Sequence, residues 1–146
     1  MNKIILVRIR GLVDVSVDIE KTLNLLRLRK KFSCVVVDET KEILGMIKKV
    51  QHYIAYGKVN EEVLKLLIMK RGRLPGDKPI VVGGKELDAM IKEFSESKKT
   101  LKELGLKPFF RLHPPRKGLK KSIKLLWPKG VLGNNPKINE MVREML

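Results

Sequence analysis

Cysteine occurs once in the 146 residues, at Cys34, and histidine twice, at His52 and His113. A single thiol excludes an intramolecular disulfide and any zinc site built on cysteines, and two imidazoles add too little to complete a ligand set. Long apolar runs are also missing. No segment approaches the roughly 18–20 uncharged apolar residues that span a bilayer. Met1-Asn2-Lys3 leads at once into an alternating pattern rather than a signal peptide, so the expected location is the cytoplasm. The third shortage is acid. The chain has 32 lysines and arginines against 16 aspartates and glutamates, a formal charge of +16. The imbalance is uneven: eight cations to three acids over residues 1–33, three to three over 34–57, eleven to eight over 58–104, and nine to none from Leu104 to Asn139. An even surplus would speak only of solubility; a purely cationic, Gly- and Pro-rich segment repels itself and gains most against a polyanion, where each neutralised phosphate releases a counterion.

The apolar content of 43% and the length suit one domain that buries about two-thirds of its unfolded surface. Ile5, Val7 and Ile9 alternate with Leu6, Arg8 and Arg10, which predicts a strand from about Lys3 to Arg10 with two arginines on its open face. Ile19, Leu23 and Leu26 fall at helical spacing, capped by Ser16 or Asp18, and that helix runs into Arg27-Leu28-Arg29-Lys30-Lys31, more charge than a helix dipole needs. Phe32 to Val37 is a β-branched run, with Cys34 as a small core residue. Ile43, Met46, Ile47, Val50 and Ile54 mark a second helix; Gly45 inside it suggests close approach of another backbone, and Gly57 a stop. Helices are expected from Asn60 to Arg73 and from about Lys85, with a loop at Pro75-Gly76 and a short strand at Ile80–Val82. Ile138, Met141, Val142 and Met145 predict a last helix capped by Asn135, with Pro136 in its first position.

Strand, helix, strand, helix, insertion and late strand describe an α+β fold: a β-α-β-α-β, ferredoxin-like core with an antiparallel sheet, one face covered by two helices, followed by a helical insertion and a basic extended C-terminal tail ending in a short helix. The expected divisions are 1–57 for the βαβα core, 58–106 for the insertion and 107–146 for the late strand, tail and helix, within one compact domain. Ile54 to Val59 and Phe109 to His113 compete as third core strand. The later one is favoured, because Gly57 and the cap at Asn60 leave the earlier one little length.

Convergent catalytic groups are hard to find. Gly83-Gly84-Lys85 lacks both the first glycine and the hydroxyl of a phosphate loop, and Asp38 and Glu39 are adjacent, so in a strand they would point to opposite sides. What stands out is Arg111-Leu112-His113-Pro114-Pro115-Arg116-Lys117-Gly118: a strand delivering Arg111 and His113 on one side, then stiffened by two prolines, can hold a guanidinium and an imidazole against a phosphate and a base at low entropic cost. The tail also mixes lysines with Phe109, Phe110, Leu125, Leu126 and Trp127, which suits nucleic acid better than a merely solvated tail or an anionic membrane.

Several stretches resemble one family. Val7-Arg8-Ile9-Arg10-Gly11, Thr22 to Leu28, Val35-Val36-Val37-Asp38, Gly45 to Val50, Tyr53 to Gly57, Lys70-Arg71-Gly72 and Arg111 to Gly118 are similar, in order and spacing, to the archaeal and eukaryotic branch of the large-subunit ribosomal protein numbered thirty in bacteria and seven in eukaryotes. The short N-terminus is of the archaeal type. The resemblance implies a noncatalytic constituent of the large ribosomal subunit, without cofactor, metal or small-molecule substrate, that binds ribosomal RNA close to 5S RNA beside neighbouring ribosomal proteins. The cations expected to meet RNA are Arg8 and Arg10; Arg27, Arg29, Lys30 and Lys31; Lys48 and Lys49; Arg71 and Arg73; and, toward the end, Arg111, His113, Arg116, Lys117, Lys120, Lys121 and Lys124. A nonribosomal RNA-binding subunit and an RNA-processing enzyme are the alternatives.

Overall fold

A computed structural model describes residues 3–11, 13–81, 83–96 and 99–146. The chain runs β1 (Lys3–Arg8), α1 (Val17–Leu25), β2 (Ser33–Asp38), α2 (Lys41–Val50), β3 (Ile54–Lys58), α3 (Glu61–Arg71), β4 (Arg73–Leu74), β5 (Lys78–Pro79), α4 (Gly84–Glu96), β6 (Phe110–Arg111), β7 (Ser122–Leu126), β8 (Gly130–Asn134) and α5 (Ile138–Met145). The α+β, ferredoxin-like class is as expected, but the sheet is mixed. Its order is β6-β2-β1-β3-β8-β7, with β1 antiparallel to both neighbours and β3 parallel to β8.

β1 is central and buried on both sides. Ile5, Val7 and Ile9 join an apolar cluster with α3, α4 and α5, whereas Ile4 and Leu6 face Leu23 of α1 and Ile47 and Val50 of α2. The expectation of one covered face is therefore corrected: the chain from α3 onward folds back to cover the other, and the larger cluster joins β1, β2 and β3 to the chain from α3 through α5, without α1 or α2. Lys3 at the edge of that layer is only 3% exposed; it pairs with Asp38 across the strands at 2.5 Å and lies 4.3 Å from the centre of the Phe94 ring.

The third core strand is Ile54–Lys58, pairing along five positions of β1, while Phe110–Arg111 is a two-residue edge strand on β2. The preference for the later segment is overturned because Gly57 does not stop a helix. A Cβ there would stand 2.8 Å from both the Asn135 carbonyl oxygen and Cγ2 of Ile138, so this glycine admits α5 against the strand. Gly45, expected to serve such an approach, has nothing near it and is exposed. Likewise, the tail is not simply extended. β8 is buried through Gly133 and pairs with β3, while β7, the edge strand beside it, is mostly exposed. Instead of a strand at Ile80–Val82, a two-stranded hairpin forms from β4 and β5 around Pro75 and Gly76; Ile80 and Val81 lie outside any strand, and Val82 lies outside the described residues. Asn135 and Pro136 do not take the cap and first helical positions expected of them: α5 starts at Ile138 with Lys137 at its cap, and the Asn135 side-chain oxygen instead accepts from the Lys137 amide at 2.9 Å in the turn before the helix.

Arg8 is the largest departure. Alternation put it on an open face; it is 0% exposed. Its Nε donates to the Arg10 carbonyl at 3.0 Å, Nη1 to those of Leu28 and Arg29 at 2.7 and 3.0 Å, and Nη2 to that of Gly11 at 3.4 Å. The guanidinium thus closes the end of the sheet by satisfying carbonyls that leave α1, and a group so enclosed is not a phosphate contact. Burial lowers its pKa and the charge of Glu20 opposes that, leaving it cationic. Replacing Arg8 by Met leaves those acceptors without a donor and is expected to lower stability by about 3 kcal/mol or more. Urea denaturation checks this, with Arg29→Met, at an exposed position, costing about 0.5 kcal/mol or less.

Candidate nucleic-acid interface

The turn that Arg8 secures delivers the first group of cations. α1 ends with Leu28 N–H donating to the Leu23 carbonyl at 2.9 Å and Arg27 in the left-handed region at φ 61°. Glycine suits that position; arginine there costs about 1 kcal/mol, and places an exposed guanidinium at the rim of a cleft. The cleft, of about 340 Å³, is formed by Arg27, Arg29 and Lys30 on one side and Pro108, Phe109 and Arg111 on the other, with Ser33 at its base.

A second cleft, of about 290 Å³, adjoins it and shares Phe109 and Arg111 as a wall. Its other residues are Arg71 from the end of α3, Arg73 from β4, Asp77 from the hairpin and Lys107. The Lys107 amide donates to the Arg73 carbonyl at 2.9 Å, which fixes the segment that carries Phe109 against the hairpin. Phe110, pairing with Cys34 on β2, turns into the core, so Phe109 is left half-buried between the clefts, 5.5 Å from the Arg111 guanidinium and 5.9 Å from the Lys107 ammonium. Asp77 is the one acid among seven cations here. The Lys107 ammonium, donating to its carboxylate, holds it below the usual carboxylate range, and the charges of Arg111 and Arg73 act in the same direction.

The fold thus joins three expected clusters, Arg27 to Lys30, Arg71 with Arg73, and Arg111. Lys107 and Phe109 complete them: Phe109 was expected only as one of the tail's aromatic groups suited to nucleic acid, and Lys107 was not among the expected contacts, its lying in the acid-free stretch being the available signal. The remaining cations do not line these clefts. Lys48 and Lys49 are exposed in the last turn of α2, and Lys31 is exposed with its ammonium 5.1 Å from the Phe32 ring. Arg10 is half-buried, donating to the His52 carbonyl at 3.5 Å and lying 5.0 Å from the Tyr53 ring. Arg111 and His113 are exposed on either side of buried Leu112. Beyond them the His113 and Arg116 amides donate to the Met145 and Glu144 carbonyls at 3.0 and 3.3 Å, docking the proline segment on the end of α5. Arg116, Lys117, Lys120 and Lys124 are exposed, whereas Lys121 donates to the Pro128 carbonyl at 2.7 Å and sits 3.9 Å from the Trp127 ring.

The comparisons with known proteins point the same way. The family model described as ribosomal protein L30p/L7e matches residues 4–54. Among curated relatives, the large ribosomal subunit protein uL30 of Archaeoglobus fulgidus is 43% identical, over 95% of this chain and 97% of its own. Those of Nanoarchaeum equitans and Aeropyrum pernix are 43% and 42% identical, each covering more than nine-tenths of both chains.

Cys34, next to Ser33 on β2, is inert for a physical reason: it is fully buried and burial pushes its thiol well above the ordinary value. A thiol reagent at pH 8 should leave the folded protein unmodified over hours and react with one equivalent in guanidinium chloride, as followed by intact mass.

Proposed function

The chain belongs to the ribosomal protein L30p/L7e family, and from that premise we propose that the two clefts are its principal contact with ribosomal RNA. It is a structural constituent of the large ribosomal subunit and not an enzyme. Its partners are ribosomal RNA and neighbouring ribosomal proteins. The observation that carries the reading is the convergence of seven cations from three stretches of the chain, 27–30, 71–73 and 107–111, around one half-buried phenyl ring. Separate lysines would be solvated one by one; cations held together by the Arg8 turn and the Lys107–Arg73 link are pre-organised, so little side-chain freedom is lost when phosphates displace their counterions.

Exposed Arg116, Lys117, Lys120, Lys121 and Lys124 extend the contact along the tail, and Lys31, Lys48, Lys49, Arg10 and His113 supply further phosphate or base contacts at the periphery. Their RNA lies close to 5S RNA. The test is sedimentation of a native extract at low and high salt, with sequencing of the RNA crosslinked to the protein. Comigration with the large subunit and crosslinks to its RNA near the 5S contact support the reading; a smaller particle carrying other RNA overturns it.

With about six to ten phosphate contacts, the plot of log affinity against log salt should have a slope of about −4 or steeper. Replacing Lys117, Lys120 and Lys121 together by Ala should flatten that slope by about 2 while leaving the thermal midpoint of the free protein nearly unchanged, measured by filter binding and circular dichroism. Arg27→Gly separates the two roles of its turn: affinity should fall, yet stability should hold or rise by up to about 1 kcal/mol in urea titrations, since glycine relieves the left-handed strain.

A further inference from the structure

The two clefts differ in chemistry. The one at Arg27, Arg29 and Lys30 has Pro108 and the Phe109 ring in its wall, whereas the one at Arg71, Arg73 and Lys107 presents charge on every residue outside the shared wall. Phosphates alone give no reason for a ring and a proline to line a cationic recess. A duplex keeps its bases stacked inside and offers its backbone, so it gains nothing from that wall; a base outside a helix has a free face that stacks on phenyl rings and on guanidinium planes. Arg111, 5.5 Å from Phe109, belongs to both clefts and can serve base and phosphate together.

Asp77 adds an independent observation. It sits in the β4–β5 turn with φ 60°, its side chain largely exposed, and its carboxylate engages Lys107. No fold requirement calls for an acid there, because asparagine supports the same left-handed turn. A carboxylate in the midst of Lys107, Arg73 and Arg111 occupies the position of an anion.

We infer that the paired clefts hold one unpaired nucleotide of the RNA, its base against Phe109 and Arg111 in the first cleft and its phosphate displacing Asp77 from Lys107 in the second. The inference rests on the RNA reading above and deepens it: the groove selects a single-stranded or bulged nucleotide over paired RNA. The low proton affinity of Asp77 agrees, since the same three cations that stabilise its charge would stabilise a phosphate.

The experiment uses the full chain and two hairpin RNAs with a common stem, one carrying 2-aminopurine as a single bulged nucleotide and the other carrying it paired. The bulged RNA should bind more tightly, with quenching of 2-aminopurine on stacking. Phe109→Ala should lose about tenfold in affinity for the bulged RNA, abolish the quenching and leave the paired RNA within about twofold. Phe109→Leu retains an apolar side chain for the core that Phe109 packs against and should lose the quenching as well. Asp77→Asn should tighten the bulged RNA about two- to fivefold, the range of an exposed ion pair. Equal binding of both hairpins with no quenching, or quenching undiminished in Phe109→Leu, overturns the inference while leaving the RNA reading intact. Failure of the unaltered protein to bind either hairpin at low salt overturns the RNA reading itself.

Discussion

A buried guanidinium organises this molecule. Arg8 closes one end of the central strand, and its donors hold the carbonyls of Leu28 and Arg29, the residues through which α1 hands the chain to β2. Without that bridge the turn would carry unsatisfied acceptors in an apolar setting, and the cations beside it would have no fixed position. The Arg8 carbonyl accepts from Phe32 at 2.7 Å, and the Phe32 carbonyl accepts from Leu112, so the same end of the sheet also secures the segment that leaves β6. A residue whose charge is invisible to solvent thus positions residues whose charge is not.

The second determinant is the covering of both sheet faces. Had the helical segment stood apart, Arg71 and Arg73 would lie far from Arg27 and Arg29. Because Val63, Leu67, Leu87 and Phe94 bury against the face of Ile5 and Val7, the end of α3 and the β4–β5 hairpin come alongside the β6 edge. Burial of apolar area drives that docking, and the juxtaposition of like charges is tolerated because the cations point into solvent-filled clefts, where water and salt screen them. The strained backbone at Arg27 belongs to the same economy: an easier turn would have been made by glycine, with one charge fewer at the rim.

How legible this was varies with the residue. The α1, α2 and α5 stripes were readable because a 3.6-residue period reports one buried face, and Cys34 was readable as core because no activating partner stood near it in sequence. Arg8 was not, since alternation distinguishes the two faces of a strand but not whether the second face is open or covered. β3 was mistaken for the same reason that the close approach expected at Gly45 occurs at Gly57: a glycine in sequence shows permission for close approach, and only the path of α5 shows where the approach occurs. Lys107 and Phe109 had no motif to mark them; they matter through neighbours 30 or more residues away, as the Asp77–Lys107 contact illustrates.

By itself, then, the amino-acid sequence determined the class of partner, the family and the inventory of cations, because charge surplus, the absence of ligand sets and the order of short motifs are properties of composition and spacing. Tertiary structure decided which of those cations face one another and which, Arg8 above all, are withdrawn into the interior. That division has a physical cause: hydrophobic periodicity is local and survives in one dimension, whereas a groove is built from elements brought together by burial that carries no directional label along the chain.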